Sequence, residues 1–312
     1  MQMKKLKCAV IGTGYLGKFH AQKYAALPDC ELVAVVDINE AAALSVAEAH
    51  GAMALTDYRV LLNGAVDAVS IVVPTTLHYQ IAKDFLEVGI HVLVEKPITV
   101  TVDEADGLIA LAKAKNLVLQ VGHLERFNPA VLGLDQDEKP LFIESHRLSP
   151  FNPRANDVSV VLDLMIHDID IILALVDCEV ERIDASGTAV LTQGTDIANA
   201  RLQFKNGCVA NVTASRISMK LERKMRLFRP NSYISVDFQN RVLTKHRTGT
   251  KEMFPGIPEI ETEESVFESG DALLEEIKHF VSCIQTGAKP LVSGEAGRRA
   301  LATAIRITDL LN

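Results

Sequence analysis

An apolar run, Cys8-Ala9-Val10-Ile11, leads directly into Gly12-Thr13-Gly14-Tyr15-Leu16-Gly17, and a helical pattern follows through Phe19, Ala21, Tyr24 and Leu27. The order is strand, tight turn, helix. The first glycine permits the turn, the second leaves bare backbone for a pyrophosphate, and the third lets helix and strand pack closely. The N-terminus of the new helix then offers unpaired N–H groups to an anion. A second strand ends in Asp37, about twenty residues beyond the third glycine, where a carboxylate meets ribose hydroxyls. Glycines alone mark many turns, but this context predicts a dinucleotide site built from Gly12, Thr13, Gly14, Tyr15, Leu16, Gly17 and Asp37.

The rhythm of strand then helix continues up to Gly122. Strands are expected at Lys7–Ile11, Leu32–Val36, Ala68–Val73, His91–Val94 and Leu117–Val121, with a short one near Met53. Their near-continuous apolar, β-branched character suits a parallel sheet covered on both faces. Helices fit Tyr15–Leu27, Glu40–Ala49, Leu77–Val88 and Val102–Ala114, the last opened by a capping box of Thr101 and Glu104. This is the pattern of a doubly wound α/β (Rossmann) domain, assigned to residues 1–122.

Beyond Gly122 the pattern changes. A strand is expected at Leu141–Leu148, then a proline-punctuated loop, then one strongly apolar helix over Val160–Val176. Strands follow at Arg182–Leu191, Ile197–Phe204, Val209–Arg216, Lys224–Phe228, Tyr233–Phe238 and Arg241–His246, with a hairpin turn at Asn206-Gly207. Helices at Ala272–Thr286 and Gly294–Leu311 close the chain. Residues 123–312 therefore read as an α+β domain with a large, open, mostly antiparallel sheet and its helices on one side. Apolar residues on both strand faces (Ile197, Leu202 and Phe204 against Ala198 and Ala200) point to pairing of that sheet with a second copy, as a homodimer or homotetramer.

Charge and composition narrow the partners. A net charge of −8 argues against nucleic acid or an anionic membrane as a general partner. Five scattered cysteines without Cys-x-x-Cys spacing imply neither a disulfide framework nor a zinc site. The basic N-terminus runs straight into the first strand with no secretory signal, and the apolar stretch from Val158 to Val176 carries Asp163, His167, Asp168 and Asp170. A membrane span is not expected, and a cytoplasmic location is.

Two places are suited to chemistry. Glu95-Lys96-Pro97 follows a strand at its carboxyl end, where ligands of open α/β sheets bind. Lys96 there would hydrogen-bond a substrate hydroxyl and stabilise alkoxide character; a surface lysine is the plain alternative. Pro74, Thr75 and His78 are placed along the same cofactor groove, with Glu95 and Lys96. His20 and His78 read as packing or hydrogen-bonding histidines rather than catalysts. The second place is the apolar helix, where Asp163, His167 and Asp170 fall at i, i+4 and i+7 on one face. A substrate-facing proton-transfer stripe, a metal site lacking an evident further ligand, and a structural hydrogen-bonded stripe all fit that spacing. Asp168 falls off the stripe, as a surface residue or helix–loop contact. His123 and Arg126 stand where the two domains join, and Arg154 could take a phosphate in bidentate fashion. Asp37 disfavours a 2′-phosphate and Ile38-Asn39 supply no arginine, so NAD is preferred over NADP.

Along its whole length the chain resembles the glucose–fructose oxidoreductase/inositol dehydrogenase/MocA family. The resemblance rests on the glycine turn, Glu95-Lys96-Pro97 and the Asp163-x-x-x-His167 spacing. It implies that Lys96, Asp163 and His167 form the catalytic group of an NAD-dependent dehydrogenase. A narrower likeness lies in Gly122-His123-Leu124-Glu125-Arg126-Phe127-Asn128-Pro129 and Leu164-Met165-Ile166-His167-Asp168-Ile169-Asp170. These look like the branch that oxidises the 3-hydroxyl of UDP-N-acetylglucosamine or a related UDP-sugar. Val158-Ser159 stand where the wider family carries a glycine pair. The resemblance implies that His167 takes the hydroxyl proton, Lys96 stabilises the oxyanion and Asp163 holds the pair in register. Lys96, His123, Arg126, Asn128, Arg154, Asp163 and His167 would contact the substrate, with Arg126 and Arg154 on the diphosphate. A dehydrogenase of a free polyol or aldose, a glycosidase using transient oxidation, and a non-catalytic NAD-responsive binding protein are the competing classes.

Overall fold

The computed structural model describes residues 5–134, 139–152, 158–267 and 270–311. The chain divides into two compact units. The first comprises Met1–Leu124 with Asp271–Leu301, the second Glu125–Gly270 with Ala302–Asn312. The sequence reading kept everything after residue 122 in one domain; the segment Asp271–Leu301 instead lies with the first unit.

Among the described residues of the first unit, six parallel strands form one sheet in the order β3-β2-β1-β4-β5-β6. They are β1 (Leu6–Ile11), β2 (Cys30–Val36), β3 (Met53–Leu55), β4 (Ala68–Ile71), β5 (His91–Glu95) and β6 (Leu119–Gly122). The order reverses beside β1, so the loop leaving β1 sits at the switch point where such sheets bind ligands. The helices are α1 (Gly17–Ala26), α2 (Glu40–His50), α3 (His78–Glu87) and α4 (Val102–Ala114), and α4 carries the expected capping box. The long helix near the C-terminus, α7 (Ala272–Thr286), completes this core: Ile277, Phe280 and Val281 are buried with Leu6, Cys8 and Tyr24.

In the second unit, eight described strands form a sheet in the order β14-β13-β12-β11-β7-β10-β9-β8. The strands are β7 (Phe142–Leu148), β8 (Val180–Thr188), β9 (Ile197–Phe204), β10 (Val209–Ser215), β11 (Glu222–Arg229), β12 (Ser232–Asp237), β13 (Val242–Phe254) and β14 (Ile257–Val266). All neighbours are antiparallel except β7 with β10. The hairpin of β13 and β14 runs well past the expected end at His246, and β14 was not anticipated. Its sequence is nearly all exposed, so neither face carries the apolar alternation that reveals a strand.

The short helix α5 (Pro129–Leu132) precedes β7, and α8 (Gly294–Leu311) ends the chain. The apolar helix departs from a plain α-helix. Its first turn, Val161–Met165, is a π-helix, closed by the Ile166 amide bonding to the Val161 carbonyl, and α6 (Ile166–Val176) continues from it against β7 and β10. Ala198, Ala200, Leu202 and Phe204 of β9 all share the buried face, because alternate residues point the same way. The opposite face is polar, with Asn199, Arg201 and Gln203 on β9. A ring row crosses it from Phe142 through Phe228 and Tyr233 to His246, with centroids 5.0–5.9 Å apart. Of the apolar residues expected on both faces of β9, Ile197 alone shares the outer face with Asn199, Arg201 and Gln203; Leu202 and Phe204 lie with Ala198 and Ala200 on the buried one.

No helix among the described residues is long and apolar enough to cross a membrane.

Candidate active site

In the first unit, the glycine loop is held by its own backbone. The Gly12 amide bonds to the Val36 carbonyl at 2.7 Å, and Gly12 adopts φ +96°. A Cβ on Gly12 would lie 2.2 Å from the Val72 carbonyl oxygen, and one on Gly17 would lie 1.9 Å from the Gly12 carbonyl oxygen. Gly14 faces open space instead. The two outer glycines are thus required by the fold, and the middle one leaves the gap that a pyrophosphate needs. Helix α1 starts beside this gap with no side-chain cap; the Lys18 and Phe19 amides turn back to the Gly14 and Leu16 carbonyls, and the positive end of the helix dipole faces the gap.

Asp37 stands at the end of β2, where Thr13 donates to its Oδ2 from both backbone N (2.8 Å) and Oγ1 (3.0 Å), and the Asn39 amide donates to Oδ1 at 2.9 Å. Burial opposes its ionisation, but these donors outweigh it and hold the carboxyl below its ordinary value. Ile38 is almost wholly exposed beside it. The open cradle at Gly14, the uncapped helix and the anionic Asp37 fit a nicotinamide dinucleotide without a 2′-phosphate.

Glu95 and Lys96 leave β5 in different environments. Glu95 is buried and turned inward: its Oε1 lies 3.1 Å from His20 Nε2 and its Oε2 accepts the Lys96 amide at 3.2 Å. A Cβ on Gly122 would come within 2.9 Å of the Glu95 carboxyl carbon, so that carboxylate rests on bare backbone. Burial alone would raise its pKa; His20 and the Lys96 amide and ammonium bring it below the ordinary value. The Glu95 side chain is therefore a buried partner of His20. Lys96 is half-buried, and the Lys96–Pro97 peptide is cis.

His78 also turns inward. Its ring nitrogens face the carbonyls of Pro97 (2.9 Å) and Val73 (2.8 Å), so it ties the end of β4 to the loop carrying Lys96 instead of offering those nitrogens to a cofactor. Burial lowers its pKa against the opposing pull of those carbonyls. Pro74 and Thr75 border the same strand end, Thr75 opening a single 3-10 turn.

In the second unit, Asp163 lies in the π turn and His167 in the first turn of α6; both are half-buried. A π turn at this point is a recurrent feature of functional sites. The expected third member of the stripe, Asp170, is buried and paired with Arg126, Nη1 to Oδ2 3.6 Å. Arg126 is correspondingly withdrawn: its side chain is 11% exposed, against the free guanidinium expected for a diphosphate.

Asp168 is not a surface residue. It is 1% exposed and receives Arg147 through Nε (3.2 Å) and Nη2 (2.8 Å), while Arg147 Nη1 donates to Glu125 Oε1 at 3.0 Å. Two ion-pair sets thus fasten the segment containing Glu125 and Arg126 to the helix containing His167. Asn128 is likewise structural: it caps α5 through the Ala130 amide and donates to the Phe238 carbonyl at 3.0 Å. His123 is buried in the first unit. Arg154 lies outside the described residues. Among the described residues no group of three His, Cys, Asp or Glu side chains is placed to hold a metal ion.

Comparison with known proteins places these features in a family. Residues 6–123 match the family described as "Oxidoreductase family, NAD-binding Rossmann fold", and residues 139–228 match its "GFO/IDH/MocA C-terminal domain". A UDP-N-acetylglucosamine 3-dehydrogenase of Acidithiobacillus ferrooxidans is 41% identical over 98% of this chain and 97% of its own. A solved structure of that enzyme superposes with a TM-score of 0.93 at 40% identity, covering 99% of this chain and 98% of the other. A scyllo-inositol 2-dehydrogenase (NAD(+)) of Bacillus subtilis is 27% identical over 93% of this chain and 89% of its own. A levoglucosan dehydrogenase solved with NADH and L-sorbose shares the fold, with a TM-score of 0.85 at 20% identity over 99% of this chain and 97% of its own. This chain is a member of the Gfo/Idh/MocA oxidoreductase family, an enzyme that uses NAD.

Proposed function

We propose that the protein oxidises the 3-hydroxyl of UDP-N-acetylglucosamine or a closely related UDP-sugar. The observation that carries this reading is the 41% identity, over nearly the whole of both chains, to an enzyme of that name. Lys96, Asp163 and His167 are all present to do the work. NAD, when bound, supplies the hydride acceptor. His167 removes the hydroxyl proton, Lys96 stabilises the oxygen as negative charge develops, and Asp163 keeps the imidazole oriented. With Arg126 engaged by Asp170, the diphosphate contact is assigned to Arg154, with His123 as a further substrate residue.

The test is a substrate panel read by NADH absorbance: UDP-N-acetylglucosamine, other UDP-sugars, free N-acetylglucosamine, inositols and aldoses. A kcat/KM for UDP-N-acetylglucosamine about a hundredfold above that for any free sugar is expected, because sites built for polar groups reject ligands that lack them. Comparable rates on a free inositol would favour the second reading, for which the Bacillus subtilis relative is the support.

We also propose a homo-oligomer formed through the polar sheet face and its ring row, in the cytoplasm. Five free cysteines fit a reducing compartment. Light scattering at micromolar concentration should return a multiple of the 34.0 kDa chain; a monomeric mass excludes the assembly.

A further inference from the structure

Glu276, on α7, is fully buried, and neither of its carboxyl oxygens meets a hydrogen-bond partner among the described residues. The same is true of His20 Nδ1 and Gln120 Oε1, both on fully buried side chains. These groups come from α7, α1 and β6 of the first unit, near Glu95 of β5. His20 Nε2 lies 3.1 Å from Glu95, Gln120 Nε2 donates to the Glu276 carbonyl at 3.1 Å, and the Glu95 charge is felt at Glu276. Tyr24 of α1 is buried in the same core as Ile277 and Phe280 of α7, its hydroxyl bonded to Ser70 at 2.8 Å.

Only one of the two carboxyl groups has the means to stay ionised. Glu95 has the His20 ring and the Lys96 amide. Among the described residues Glu276 has neither donor nor paired cation, and an ionised carboxylate buried without partners is so costly that the group neutralises instead. Burial, reinforced by the charge on Glu95, pushes the Glu276 carboxyl well up.

We propose that Glu276 is a positioning residue for Lys96: as a neutral carboxylic acid beside the His20–Glu95 pair, it leaves a single negative charge behind the strand end that carries the lysine. If Glu276 ionised, a second carboxylate would compete for His20. Glu95 would be released from its seat over Gly122 and from the Lys96 amide. The role of Lys96 rests on the proposed function; the proton on Glu276 does not.

Infrared spectra of the wild-type protein test the proton directly. A carboxylic acid C=O stretch is expected to persist at neutral pH and to vanish in Glu276→Gln. Stability gives a second readout. The unfolded glutamate titrates at about 4.3, below the folded group, so the folded state holds the extra proton above that pH. Wild-type stability is therefore lost as pH rises from the unfolded value towards the folded one. Glu276→Gln lacks this loss, and its melting temperature should gain on wild type as pH goes from acid to neutral.

Activity separates positioning from packing. Glu276→Asp, which shortens the arm, should lower kcat about tenfold with KM for NAD little changed, while the isosteric neutral glutamine rescues it. No acid band in the wild-type protein at neutral pH, or aspartate outperforming glutamine, overturns the proposal. If no sugar nucleotide is turned over at all, the proposed function fails, and the infrared and stability results still decide the state of Glu276.

Discussion

Lys96→Ala is expected to lower kcat on the preferred sugar by about 10³-fold, within the range for losing a positioned proton-transfer or oxyanion-stabilising group. The argument is local. Lys96 leaves the carboxyl end of β5 at a strand end of the kind where open sheets bind ligands, and its backbone amide is fixed by a buried carboxylate. His78 ties down the next residue, Pro97, through its carbonyl. The side chain itself is only half-buried, so its truncation leaves the core of the first unit intact. The circular dichroism spectrum and the NAD dissociation constant should therefore change little while turnover collapses. A kcat within tenfold of wild type would remove Lys96 from the chemistry. Loss of NAD binding in step with turnover would make it a cofactor contact instead.

Arg147→Met should destabilise the second unit by about 3–5 kcal/mol, the loss typical when one member of a buried ion pair is removed. Burial works against charge on Arg147, but Asp168 and Glu125 on either side outweigh it and make the guanidinium harder to deprotonate. Without it Asp168 is left buried and unpaired by this arginine, and Glu125 keeps the Asn128 amide at 3.4 Å and the half-exposed Arg223 at 3.5 Å. The network as a whole need not be a net source of stability, since taking three charges out of water is itself unfavourable. The triple variant Arg147→Met, Asp168→Leu, Glu125→Gln should therefore recover much of the loss. Chemical denaturation of the single and triple variants measures both. A single variant within about 1 kcal/mol of wild type, less than the usual effect of breaking such a pair, would show that water reaches these carboxylates.

The first unit was legible because parallel strands and covering helices repeat strong periods: its strands and α4 lie close to where the apolar pattern put them. What escaped was partnership. Nothing in the amphipathic pattern of α7 says which core it enters, so its place beside β1 and α1 was not readable. The π turn spans only Val161–Met165, too short to disturb a helical period over seventeen residues of predicted helix, Val160–Val176. Two buried charges did leave a usable signal. Arg147 has the parity of Ile143 on β7, and Asp168 is flanked at helical spacing by Leu164, Met165, Ile171 and Ile172. Glu276 likewise sits between Leu273 and Phe280. In each case the apolar company of a charged residue marks burial, and therefore a partner or a proton. Spacing put Asp163 and His167 on one stretch of helix, where both lie half-buried, whereas the pairing of Arg126 and Asn128 depends on partners that no local pattern specifies.

Because Ile277, Phe280 and Val281 fill the same core as Cys8 and Tyr24, the nucleotide-binding half is not a module that gene fusion can copy as one uninterrupted piece. A crossover near codon 122 divides this interior between two parents. A chimera that keeps it whole must inherit both the head of the coding sequence and a stretch close to its tail, much as a clasp is useless when only one side is transplanted.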